Sequence, residues 1–138
     1  MACGAPPAYK TSMPRLAVVD SITEVGPADQ GCVAVSGSHG GMSSARFALA
    51  ARPLLSVFND AGGGKDGAGM AALDFLQDRA LAACTVAHTS ARIGDARSTL
   101  DDGIISQVNA AAFALGIETG QACREAIGSL LQSRQEIR

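Results

Sequence analysis

Tryptophan is missing from this chain, tyrosine occurs once and phenylalanine four times, so packing has to come from aliphatic and small side chains. Charge is also sparse: 17% of residues are charged, against about 25% in an average globular protein. Few charges and many alanines suit close helix packing, including packing against another subunit, so the composition predicts a homo-oligomer. The blander outcome is an alanine-rich monomer.

There is no excess of basic residues. A net charge of −2 and a pI near 5.6 leave no stripe to displace counterions, which argues against nucleic acid as a partner. No apolar run approaches the ~20 residues of a membrane-spanning helix, so no membrane partner is expected. Residues 1–14 contain Pro6-Pro7 and no apolar stretch of signal-peptide length, and they read as a flexible tail. Cys3, Cys32, Cys84 and Cys123 show no close pairing. Three of them fall in predicted strands or helices, where a free thiol behaves as a small hydrophobe, and a reducing cytoplasm is the simplest location.

What is present is a chain of 138 residues with 47% hydrophobic content, enough for one α/β domain over 15–138. Leu16–Val19 begins a strand that could reach Val25, and Cys32–Ser36 forms a second whose direction relative to the first is open. Ser43–Ala51 reads as a helix stopped by Pro53, and Leu54–Phe58 as a strand buried on both faces. A helix over 68–78 and a strand over Leu81–Ala87 follow.

Beyond these, Ser98-Thr99-Leu100-Asp101 resembles a helix start, with Ser98 as the cap. The spacing of Ile104, Val108, Ala111, Ala112 and Leu115 predicts that this is the longest helix, stopped by Gly116. A last helix runs from about Gly120. The alternation predicts a three-layer α/β sandwich with a mostly parallel sheet of about four strands.

Three apolar runs end in chemically rich loops, and parallel strands would bring all three to the usual ligand edge of one sheet. The first loop, Ser36-Gly37-Ser38-His39-Gly40-Gly41, precedes a helix. Ser36, Ser38 and the amides of Gly40 and Gly41 could bind an anion or a carbonyl, or form only a tight turn. The pattern around Ser38 approximates a hydrolase nucleophile elbow, but its first small residue is Ser36 rather than glycine.

The second loop begins Asn59-Asp60-Ala61-Gly62-Gly63-Gly64-Lys65-Asp66. It fails as a phosphate-gripping P-loop, because Phe58 stands where the first glycine belongs and Asp66 follows the lysine. It fails equally as a dinucleotide fingerprint, because Gly67 is out of register. No cofactor is therefore assigned, although a Mg²⁺ arriving with a phosphate remains compatible. Asn59, Gly62, Gly63, Gly64 and Lys65 are candidate binding residues, and a glycine-rich lid is the rival reading.

The third loop, His88 to Arg97, is the densest. His88 can move a proton near neutral pH, and Arg92 and Arg97 offer forked donors to carboxylate or phosphate, with Ser90 beside them. Asp95 could orient a histidine or merely pair with an arginine. His39, Asp60, Asp66, His88 and Asp95 lack the spacing of a structural zinc site. Asp20 would add a carboxylate to this edge if the first strand stopped at Val19.

These residues point to acid–base chemistry of lyase or isomerase type on a small anionic metabolite. His88 or His39 would move the proton, Asp60 or Asp95 would orient the histidine, and Arg92 and Lys65 would hold the anion. The alternative is a non-catalytic metabolite-binding or structural subunit of a homo-oligomer.

Overall fold

The computed structural model describes residues 14–63 and 70–136. Its strands are β1 (Leu16–Val19), β2 (Val33–His39), β3 (Leu55–Asn59), β4 (Ala82–Val86) and β5 (Ile105–Val108), adjacent in that order. Strands β1 to β4 are parallel, and β5 runs antiparallel beside β4. Five helices flank them: α1 (Met42–Ala51), α2 (Ala71–Gln77), α3 (Ala96–Asp102), α4 (Ala110–Ala114) and α5 (Cys123–Glu136). This is a three-layer α/β sandwich with a mostly parallel sheet, and it has five strands rather than about four.

The layers follow from strand order. Successive right-handed crossovers stepping one way across a sheet put their helices on one face. On that face Ala34, Phe58 and Ala83 of the sheet pack against Ala45, Ala48 and Ala51 of α1 and Leu73 and Leu76 of α2. The opposite face would be bare without the C-terminal third of the chain. There Val33, Val35, Leu55, Val57 and Val86 meet Leu100 of α3 and Ala126, Ile127 and Leu130 of α5. Alternating residues along β2, β3 and β4 serve opposite cores, which is why these runs are apolar throughout. Cys32, Cys84 and Cys123 are free and buried. Burial pushes the Cys123 thiol up to about 12 and the Cys84 thiol well above its ordinary range.

The largest departure from the sequence reading lies at 98–115. Helix α3 stops at Asp102, and the residues expected to continue it form β5 and the separate α4. Gly103 explains the break. It takes extended backbone (φ −66°, ψ 143°), and a Cβ there would lie 2.4 Å from the Thr99 carbonyl oxygen and 2.7 Å from Val86 Cγ1. The chain can then pair Val86 with Ile105 and Cys84 with Val108. Gly116 does adopt a left-handed conformation (φ +94°), but it follows a five-residue helix, not a long one.

Smaller differences have equally local causes. β1 ends at Val19 and does not reach Val25, because Ser21 opens a short 3-10 turn over Ile22–Glu24. Its hydroxyl accepts from the Thr23 amide, and Glu24 returns a carboxylate to the Ser21 amide at 3.2 Å. Two such turns replace a crossover helix and still leave β1 parallel to β2. The cap of α3 is Asp95 rather than Ser98, which instead accepts from the Arg92 amide at 2.9 Å. α1 does end before Pro53, with Arg52 left-handed (φ 51°).

Candidate functional site

The ends of β2, β3 and β4 carry the three loops to one edge, and the loops are knitted together by backbone bonds. The Gly40 amide donates to the Asn59 carbonyl at 3.0 Å, and the Asp60 amide to the Val86 carbonyl at 2.9 Å. His39 pairs with Asn59, which pairs with Val86, so His39 and the start of the His88 loop stand about 10 Å apart, two strand spacings. The two histidines therefore share an edge. Gly64, Lys65, Asp66 and Gly67 lie outside the described residues.

Asp60 is the electrostatic centre of this edge. Its side chain is only 12% exposed, and its Oδ1 accepts from the Gly62 amide at 2.8 Å and the His88 amide at 3.0 Å. His88 Nδ1 lies 3.4 Å from the same oxygen, while the imidazole is 53% exposed. Burial pushes the Asp60 carboxyl up, but hydrogen bonds from Gly62, the Ser106 hydroxyl and both the amide and ring of His88 outweigh it. The carboxyl is held below its ordinary value, and Asp60 is a fixed anion at neutral pH.

Glycine is needed at Gly62 for conformation, not only for mobility. Its φ is +75°, and a Cβ there would meet the His88 ring at 3.4 Å. Asp60 is thus wrapped by its own turn on one side and by the His88 loop on the other.

Several other candidates are committed to the scaffold. Ser36 is buried and donates to the Val57 carbonyl at 2.8 Å. The Ser38 hydroxyl accepts from the Ile22 amide at 2.9 Å. Asn59 is buried and links two of the loops, accepting from the Ala61 amide at 2.8 Å and donating to the Ala91 carbonyl at 3.1 Å. Ser90 donates to the Ala87 carbonyl and accepts from the Ile104 amide, tying the third loop to the start of β5. Asp20, which does fall at this edge, accepts from the Ala96 amide at 2.9 Å. Asp95 caps α3 through the Ser98 amide at 3.0 Å and sits 3.4 Å from Arg92 Nη1.

What faces solvent is a shorter set: His88, His39, Arg92, Arg97 and Gly62. Arg92 is 80% exposed beyond its weak contact with Asp95, so most of its fork is available to an anion. The turn into α1 supplies no side-chain cap at Gly41, leaving its first amides to other acceptors. An open groove of about 420 Å³ lies to one side, between Met70, Leu73 and Asp74 near α2 and Gln107 and Val108 of β5. It includes neither histidine nor Asp60. Among the described residues no three His, Cys, Asp or Glu side chains gather as metal ligands, and no helix is long and apolar enough to cross a membrane.

Two residues at the centre were not singled out from the sequence. Ser106, which helps hold the Asp60 carboxyl below its ordinary value, has its hydroxyl 2.8 Å from that of the fully buried Thr85. Ser106 falls in the segment read as helix, which hid its position beside β4. The four residues Ile105 to Val108 are too few for alternation to give a strand signal. The chain matches no protein-family model, no curated protein and no solved structure.

Proposed function

We propose that this protein performs acid–base chemistry, of lyase or isomerase type, on a small metabolite bearing a carboxylate or phosphate. The observation that carries the reading is the Asp60–His88 pair: a mostly buried anion 3.4 Å from Nδ1 of a half-exposed imidazole at the ligand edge of a parallel sheet. An acceptor at Nδ1 fixes the ring and leaves Nε2 to exchange a proton with a bound molecule. Arg92, at the far end of the same loop, would hold the anionic group, assisted by the uncapped amides at the start of α1. His39 is the second proton carrier at this edge; Lys65, the second cation expected from the sequence, lies outside the described residues.

The test is a panel of carboxylated and phosphorylated metabolites, read first by thermal shift and then by turnover. Arg92→Ala should weaken binding, whereas His88→Gln should keep binding and lose turnover by about 10²-fold or more. Binding with no turnover for any panel member would leave only a sensor, and neither would refute an anion site.

We also infer self-association. Phe113 on α4 is 60% exposed, the most exposed of the large apolar side chains among the described residues. Sedimentation should show an oligomer that Phe113→Ser weakens; a monomer at all concentrations would refute this.

A further inference from the structure

We propose that the groove between α2 and β5 is a binding site for a primary amine, an ammonium group on an aliphatic stem. The groove stands on its own geometry. Joined to the acid–base reading, it makes the substrate a molecule that carries an amine as well as an anion.

The groove exists because β5 has no helix packed over it on the α1–α2 side. The core on that side draws on α1, α2 and strands β1 to β4, and takes nothing from β5. The flank of α2 and the surface of β5 therefore enclose an open trough of about 420 Å³, within the size range of small-molecule clefts. Its far end is braced. Asn109 lines it and donates to the Leu73 carbonyl at 3.2 Å and the Leu81 carbonyl at 3.0 Å. Gln77 Oε1 accepts from the Ala111 amide at 2.7 Å, pinning α2 to the start of α4. The cleft is preformed.

Its chemistry is one-sided. Met70, Leu73 and Val108 give it apolar walls, and the Met70 thioether can adjust to stems of different shape. Asp74 is the one charged side chain lining it among the described residues. That carboxylate stands four residues after the Met70 cap position, one place beyond the acid of a capping box, and it has no hydrogen bond or ion pair. The exposed Gln107 amide, paired in register with Thr85, is equally without a partner. An ammonium has three protons to donate and needs acceptors and a counter-charge. Asp74 and the Gln107 oxygen supply both, and a carboxylate or phosphate in their place would be repelled by Asp74.

The mouth of the groove opens beside the candidate site. A Cβ at Gly63 would lie 3.8 Å from Met70 Cε, and one at Gly62 would lie 3.4 Å from His88 Cε1. A single turn of chain thus separates the groove wall from the imidazole.

The experiment follows the methyl NMR signals of the full chain during titration with pentan-1-amine, pentan-1-ol and pentanoate at constant ionic strength. The amine should shift the Met70, Leu73 and Val108 methyls saturably, with a Kd in the millimolar range for so small a probe. Pentan-1-ol should bind about tenfold more weakly, the worth of one charged hydrogen bond, and pentanoate should leave these methyls unshifted. Asp74→Asn, an isosteric change at an exposed position, should weaken the amine about tenfold and bring it level with the alcohol. No shift up to about 50 mM amine, equal affinity for amine and alcohol, or unaltered affinity in Asp74→Asn would overturn the proposal. The titration needs no turnover, so these shifts with a silent metabolite panel remove only the acid–base reading.

Discussion

The amide of Gly94 donates to the carbonyl of Gly37 at 2.7 Å, joining the end of β2 to the third loop with no side chain between them. A Cβ at Gly37 would lie 2.3 Å from the Asp95 nitrogen and 2.5 Å from the Gly94 carbonyl carbon. Both obstacles are backbone, so neither can rotate away. Close approach of two main chains is what sets the candidate site's outer wall.

Gly37→Ala should therefore destabilise the fold by about 2 kcal/mol or more, the cost of overpacking against rigid neighbours. Urea unfolding would measure it, with a lowered midpoint and an unchanged slope. Gly26→Ala is the control, since nothing lies within 4 Å of a Cβ there. Equal stability in the two variants would mean that the β2 end can move away from the third loop.

Asp60→Asn should cost about 2 kcal/mol at neutral pH, because hydrogen bonds to an ionised acceptor are exchanged for weaker ones. Its pH dependence has a definite sign. The folded carboxyl is held below its ordinary value, so the unfolded chain takes up the proton first on acidification. The contribution is complete above about pH 4 and is lost as pH falls through the folded value. Stability curves of wild type and Asp60→Asn should converge below pH 4; parallel curves would show that Asp60 gains nothing from its donors.

Asp95→Ala should cost about 1 kcal/mol, the usual value of an N-cap, with fraying confined to the first turn of α3. Ser98→Ala should cost less, because its hydroxyl serves the Arg92 amide rather than the helix. Denaturation of the pair would rank them, and the reverse order would restore Ser98 as the cap.

Asn109→Ala should be more damaging, at about 2–3 kcal/mol. This buried amide accepts from Ala83 and Ala112 and donates to Leu73 and Leu81, so one side chain ties α2, β4 and α4 together. Its loss strands buried backbone groups from three elements. A change in thermal midpoint no larger than that of Asp95→Ala would show that water replaces the amide.

β2, β3 and β4 were legible because a strand buried on both faces is apolar throughout, and Gly31, Pro53 and the loop glycines mark its ends. That much also brought Asp60 and His88 to one edge. β5 was illegible because four residues are too few for alternation to show. Ile104 and Val108, four apart, also mimic a helical stripe although Ile104 is exposed. The lost strand took Ser106 with it. Hydroxyls are hard to read for a related reason: Ser36, Ser38 and Ser90 resemble ligand groups in sequence, and Ser98 a helix cap. Each instead bonds main chain, from 3 to 21 residues away.

Asp20, directly after β1, supplies the acceptor for the Ala96 amide at the start of α3, across 76 residues of chain. The helix start is therefore completed by the first strand, and only once that strand has docked on β2. Hydrogen exchange at this single amide consequently reports whether the first strand has met the helix between β4 and β5. It should slow late in refolding and should be the first protected site to open when β1 detaches.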